Sequence, residues 1–481
     1  MNNSSENALY GVRWKLCADD GLYYDSPCER LCDALGLSVK AYDENTGEGG
    51  FSDFDRIYPW SEIKRCVLSK DENGSTRVSY DLKEKGDIFV EIPKHYIKRE
   101  VKDGYEYRYI SAVMREGFML DPSFSENGKE LDFIYVSAYE LNSVGGSSSG
   151  EIPLYEKTRR EFRELIKSNG RGYALFDLRT LLTLQNLYLI EFADRNCQNT
   201  IGGGVGKMLQ PAVRYMSLCD EKATNRIVIS ELRPATIHEL FVNSRMLICG
   251  KDGVSIYNRL ITDIQTQDGK TVITFDGEPV DITSEMYVGA SPWKTGSTDR
   301  LSYHTGQTVC IGGDDANKIY RSGVKYRGME NLWGNVWCHL DGINIRDNKT
   351  YICNNIEDYS DGMEGYEAHG IEQEVQTSND GIAIPAEVHY IKNLGFDRER
   401  PWLALPESSV GIEKDLAYSE FLRNNSFGDY YYLGGNPKID HYVHGGGFDH
   451  YWRCGLFTIR GWIRNEQAWY LYGARSIYKP L

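Results

Sequence analysis

Arg327-Gly-Met-Glu-Asn-Leu-Trp-Gly-Asn-Val-Trp-Cys-His-Leu-Asp-Gly-Ile-Asn-Ile-Arg346 is the stretch on which the fold turns. Apolar and aromatic residues crowd around Gly334-Asn335, with Trp333 on one side and Trp337 on the other. Indole rings carry a large apolar surface that water disfavours. This density predicts that Trp333 and Trp337 lie in a core, and that 327–346 is not a continuous exposed helix.

Moving outward to the C-terminus, Phe448 to Tyr472 holds eight aromatics in 25 residues, against 12% for the whole chain. They are interleaved with Asp449, His450, Arg453, Arg464, Asn465 and Gln467. Rigid amphipathic rings beside Arg and Asn are the composition of binding surfaces, because they offer contact area at small entropic cost. The alternative is a core, to which Phe457 and Trp462 are assigned. The expected ligand face is Asp449, His450, Tyr451, Trp452, Arg453, Arg464, Asn465, Trp469, Tyr470 and Tyr472.

Upstream, Ile88, Val90 and Ile92 alternate with polar neighbours before Pro93. Tyr105, Tyr107 and Tyr109 alternate after an Asp103-Gly104 turn, a hairpin pattern. Thr158-Arg-Arg-Glu161 is a capping-box sequence opening a helix that Asn169-Gly170 closes, and Asp177 opens a second helix over 177–194. Val144–Gly150 reads as a mobile Gly/Ser loop. Residues 226–284 change to short β-like runs split by Asp252-Gly253, Asp268-Gly269 and Asp276-Gly277, and are expected to form a small all-β insertion.

Several functions are disfavoured. A formal net charge of −16 argues against nucleic acid and anionic membrane surfaces. No run of eighteen apolar residues exists, and Met1–Asn7 does not read as a secretory signal. Eleven scattered cysteines without a CxxC pair suit a reducing cytoplasm, with most thiols free and buried. Gly146-Ser-Ser-Ser-Gly150 has the letters of a nucleophile elbow but not its strand–helix setting. Gly202-Gly-Gly-Val-Gly-Lys207 lacks the first glycine and the Ser/Thr of a phosphate loop. Asp314-Asp315 with Asn317 makes no EF-hand pattern. His441, His444 and His450 sit near Asp449, but Gly445-Gly446-Gly447 cannot hold a rigid ligand set, so they read as exposed loop histidines. No metal, cofactor or catalytic residue is expected.

Gly334-Asn335-Val336-Trp337 resembles the Gly-Asn-Val-Trp signature of the formylglycine-generating-enzyme type of C-type lectin fold, with Cys338-His339 replacing Glu-Trp. Gly445-Gly446-Gly447-Phe448, Cys454-Gly455-Leu456-Phe457 and Gly473-Ala474-Arg475 resemble the ending of variable proteins diversified by phage retroelements. Tyr58-Pro-Trp-Ser61, Val90-Glu-Ile-Pro-Lys94 and Asp177-Leu-Arg-Thr180 are similar to phage and prophage tail proteins. The resemblance implies an α+β, C-type-lectin-like protein. Its expected parts are an attachment module at 1–84, the lectin-like domain at 85–225 and 285–481, and the insertion at 226–284. It also implies a phage tail receptor-binding protein, made in the bacterial cytoplasm and carried on the virion. Its partners would be a host cell-surface protein or glycan and other tail proteins, with a homotrimer among the arrangements open to it. Two alternatives are a formylglycine-generating oxidase and a purely structural tail protein. The oxidase would need a C-terminal cysteine pair, and Cys454 is the only cysteine in the last 128 residues.

Overall fold

Alternation along the chain does produce strands, and more of them than the helical signals suggest. The computed structural model describes residues 7–17, 27–205, 215–232, 240–251, 255–309, 322–376, 387–413, 427–434, 438–448, 450 and 453–481. Strand Asp87–Pro93 carries the Ile88-Val90-Ile92 run. Strands Tyr96–Lys102 and Tyr105–Ser111 form the expected hairpin. Its turn residues Asp103 and Gly104 take φ of 53° and 75°, the mirror-image turn that matches strand twist.

The fold class departs from expectation. Strand accounts for 42% of the described residues and helix for 10%, with three α-helices among them, so the molecule is β-dominated and not an α+β protein with a C-type-lectin fold. The helical signals were real but few. Helix α1 (Arg159–Lys167) starts on the full capping box, with the Glu161 amide on Thr158 Oγ1 at 3.2 Å and the Thr158 amide on Glu161 Oε2 at 2.8 Å. Helix α2 (Leu178–Phe192) is buried at every one of its 15 residues. Its polar side chains are paired inside the core, Arg179 donating to Ser125 O at 2.8 Å and Gln185 to Leu456 O at 3.0 Å. It packs against Leu9–Lys15, Tyr105–Ser111 and Trp337–Arg346.

Four sheets of five or more strands hold most of the described strands. The first runs Met119–Leu120, Tyr96–Lys102, Tyr105–Ser111, Leu9–Lys15, Glu29–Cys32. The second runs Tyr173–Leu175, Ser476–Tyr478, Phe133–Ser137, Asp87–Pro93, Lys64–Lys70, Thr76–Ser79. Residues before 84 therefore share both sheets with residues beyond it, and no separable module ends there. The C-terminal sheet runs Glu367–Ala368, Lys349–Ile352, Trp337–Arg346, Asp440–Gly445, Gly455–Arg464, Tyr431–Leu433, with Tyr472–Gly473 added in parallel beside Trp337. Trp333 and Trp337 are 1% and 0% exposed, and Trp333 Nε1 donates to Gly202 O at 2.9 Å. Gly204 and Gly334 cross so closely that a Cβ on Gly204 would lie 2.8 Å from Trp333 O, which only glycine allows.

The fourth sheet runs Tyr215–Met216, Tyr287–Ala290, Arg245–Cys249, Ser255–Gln267, Lys270–Phe275, Arg226–Ser230. It has its own apolar core, including Ile227, Ile229, Met246, Ile248, Ile273 and Val288. Its strands begin at Tyr215 and end at Ala290, so bounds of 226–284 cut through it. Its other face is not free: Leu247, Cys249 and Tyr287 join the cluster around Trp337. Asp252-Gly253 lies outside the described residues. The Val144–Gly150 segment is pinned, since the Ser147 amide donates to Asp87 Oδ1 at 2.7 Å and its hydroxyl to Ile88 O.

Candidate functional site

Strand Gly455–Arg464 sends Phe457 and Ile459 into the main core. Its pairing with Asp440–Gly445 then slips, with His441 opposite Ile463 and Tyr442 opposite Gly461. Trp462 is the extra residue of this bulge, and bulges re-aim side chains. Its half-buried ring meets Tyr432 edge-on at 5.7 Å, and the Arg460 guanidinium carbon lies 5.0 Å from its centroid. Tyr432 stacks with Tyr430 at 6.4 Å and 8°, and Arg453 lies 5.8 Å over Tyr430. Two guanidinium groups thus cap the ends of a ring row, each held by the ring quadrupole. Trp462 Nε1 and Arg460 Nε are buried without a hydrogen-bond partner among the described residues.

The expected ligand residues divide sharply. Asp449, Tyr451 and Trp452 lie outside the described residues, as do Asp314, Asp315 and Asn317. Arg464 is exposed, while His450, Arg453, Asn465 and Trp469 are half-buried. His450 Nδ1 accepts from Trp337 Nε1 at 3.2 Å. Tyr470 and Tyr472, expected on the face, are 8% and 0% exposed and belong to the core. The reason is pairing: Tyr472 lies beside Trp337 in the sheet, and its ring packs on His339 at 5.6 Å. Trp469 covers both tyrosines edge-on, at 5.7 and 5.9 Å. What reaches the surface is the rim of an aromatic core, not a run of free rings.

Beneath the rim runs a buried polar chain that the sequence did not reveal. His339 Nδ1 and His441 Nε2 are 2.8 Å apart, and His441 Nδ1 lies 3.2 Å from Asn465 Oδ1. Asn465 Nδ2 donates to Asp361 O at 3.0 Å. Arg159 donates to Asp361 Oδ1 at 3.0 Å and Asn344 Oδ1 at 2.8 Å, while Arg163 grips Asp341 with two bonds of 2.8 and 3.0 Å. Burial, then the Arg159 charge, pushes His339 down to about 3 and His441 well below its usual value. His444, on Phe176 at 5.0 Å, is pushed down to about 3 by burial and Arg475. These histidines are neutral strand residues, not exposed loop ligands. No group of three or more His, Cys, Asp or Glu among the described residues could hold a metal ion. The signal for the chain was the capping box itself, which places Arg159 and Arg163 in successive turns of α1.

Behind Trp337, Glu140 accepts Asn335 Nδ2 at 2.6 Å and the Val336 amide at 3.3 Å. Burial raises it to about 8, and raises Asp429, which accepts the Phe457 amide at 2.9 Å, to about 7. A carboxyl whose folded pKa is raised gives stability that is full below its unfolded value and lost as pH rises through the folded one. The buried histidines act oppositely, withdrawing stability as pH falls below about 6.5. Stability should therefore peak near pH 6.5 and decline toward pH 8, by up to about 1.4 kcal/mol per pH unit for each ionising carboxyl. Thermal melts across pH 5–9 check this, and Glu140→Gln should flatten much of the alkaline decline. A wild-type melting temperature rising from pH 6.5 to 8 would contradict it.

No family model and no curated protein matches the chain.

Proposed function

We propose that this chain is a receptor-binding protein of a phage or prophage tail, recognising a host cell-surface ligand through the rim of its C-terminal aromatic cluster. The observation that carries the reading is the rim: Trp462 and Trp469 half-buried, Arg453 and Arg460 stacked over rings, and Arg464 exposed beside them. Rings held by their neighbours lose little freedom on binding, so their contact area is available at low cost. The phage-type ending of the sequence supports the same reading. The oxidase alternative would need a C-terminal cysteine pair, and Cys454 is the only cysteine after Cys353 in the sequence. A structural tail protein would use this rim against a neighbouring subunit.

The test is adsorption of the purified protein to host cells beside its thermal melt. Truncating Arg453, Arg464 or Trp469 to Ala should each weaken adsorption by roughly 1–4 kcal/mol. Arg464→Ala should cost at most about 1 kcal/mol of stability, since the side chain is exposed and only its charge acts on the buried Asp440 beside it. Unchanged adsorption by all three variants would move the receptor site elsewhere.

A further inference from the structure

A second concavity, built from other parts of the chain, carries chemistry of its own. A cleft of about 600 Å³ opens where residues 119–128, Arg179, the segment 352–367 and Trp402 meet. One lip is the tip of the hairpin Ser125–Glu126 and Lys129–Glu130, where Asn127 and Gly128 turn at φ of 51° and 74° and are exposed. The facing lip is the loop following strand Lys349–Ile352, with exposed Asn354 and Asp358, together with Glu367 from the edge strand of the C-terminal sheet. Met119, Leu120, Ile352 and Trp402 supply the apolar lining.

Arg179 lies at the bottom, only 3% exposed. Its Nη1 donates to Ser125 O at 2.8 Å and its Nη2 to Glu126 and to Tyr359 Oη, while its Nε is buried without a partner among the described residues. The charge of Arg179 is already balanced. Glu126 and Asp177 are buried beside it, and Lys479 joins them at 2.8 and 3.1 Å, giving two cations and two carboxylates. The rim adds Asp358 and Glu367, the latter paired with Arg400 at 3.1 Å. Nothing in the cleft offers surplus positive charge to an anion.

Amides that both donate and accept, carboxylates that accept, and an apolar wall with one indole are complementary to a ligand with hydroxyls on its edges and C–H groups on its faces. We propose that this cleft binds a neutral saccharide, its apolar face against Trp402 and Leu120 and its hydroxyls on Asn127, Asn354 and Asp358. The site is separate from the C-terminal rim and does not depend on it.

The test is retention of the full chain on an array of immobilised oligosaccharides, neutral and acidic, with peptides as a third set. Neutral members should retain the wild type. Asn127→Gly keeps the left-handed backbone while removing the amide, and it should cut retention by roughly tenfold or more, as should Asn354→Ala. Both residues are exposed, so the melts should not move. Glu72→Ala, at an exposed turn of the second sheet, should bind the array like the wild type. Retention only by acidic glycans or peptides, no retention at all, or equal retention by both asparagine variants would overturn the proposal. Loss in Arg464→Ala with Asn127→Gly unchanged would assign the sugar to the C-terminal rim instead, and would separate failure of this site from failure of the receptor reading.

Discussion

A chain ending at Arg475 should fail to fold. Strand Ser476–Tyr478 is not an appendage: it lies between Tyr173–Leu175 and Phe133–Ser137, with Ile477 opposite both Ala174 and Val136. Without it two strands lose their ladder partner, and the fully buried Ile477 leaves a hole worth about 2–5 kcal/mol. Lys479 leaves as well, stranding Glu126 and Asp177 in a dry interior with Arg179 alone. Breaking a buried ion pair costs about 3–5 kcal/mol. Together with the lost strand pairing, these terms rival the 5–15 kcal/mol typical of a whole domain's stability. The truncated chain should be insoluble or lack a cooperative melt. Full-length Lys479→Met should fold with a clearly lowered melting temperature. A near-native melt of the truncated chain would mean that the second sheet closes without its last strand.

Arg159→Met should cost about 3–5 kcal/mol, because it empties the centre of the buried polar chain, leaves Asp361 with Arg163 alone and takes a donor from two backbone carbonyls. Its pH dependence is diagnostic. Arg159 is, after burial, the leading influence holding His339 and His441 neutral. Removing it raises both folded pKa values, and a protonated imidazole can then supply the missing positive charge beside Asp341 and Asp361. A group whose folded pKa rises gives stability that is present at low pH and lost as pH increases. The deficit of the variant should therefore be smaller at pH 5 than at pH 8. An equal deficit at both would make Arg159 a packing element only. The same variant tests the rim, since Asn465 hangs from this chain through His441 and Asp361.

How much could be read beforehand follows from how local each signal is. The Asp103-Gly104 turn, the Thr158–Glu161 box and the Asp177 cap are decided within a few residues, and each formed as read. Trp333 and Trp337 were legible as core because rings that large have few other places to go. The fold class was not, because it depends on which remote strands pair. Leu9–Lys15 with Tyr105–Ser111 and Tyr173–Leu175 with Ser476–Tyr478 leave no mark at either partner. The face was half legible for the same reason. Tyr472 and Arg464 look alike as binding residues in sequence, and only the parallel pairing at Trp337 puts one ring in the interior. His441 and His444 misled because the glycines after them suggested a loop, whereas they end a buried strand.

The threading of the last strand into the second sheet also has a consequence for synthesis. Tyr173–Leu175 emerges about 300 residues before the segment that pairs with it. At roughly 5–20 residues per second, that sheet must wait on the order of 15–60 s with an open seam. A premature stop or frameshift anywhere after Leu175 never fills the seam. Translation past Lys479 thus acts as a full-length check: only a molecule whose reading frame survived to this strand can close the second sheet.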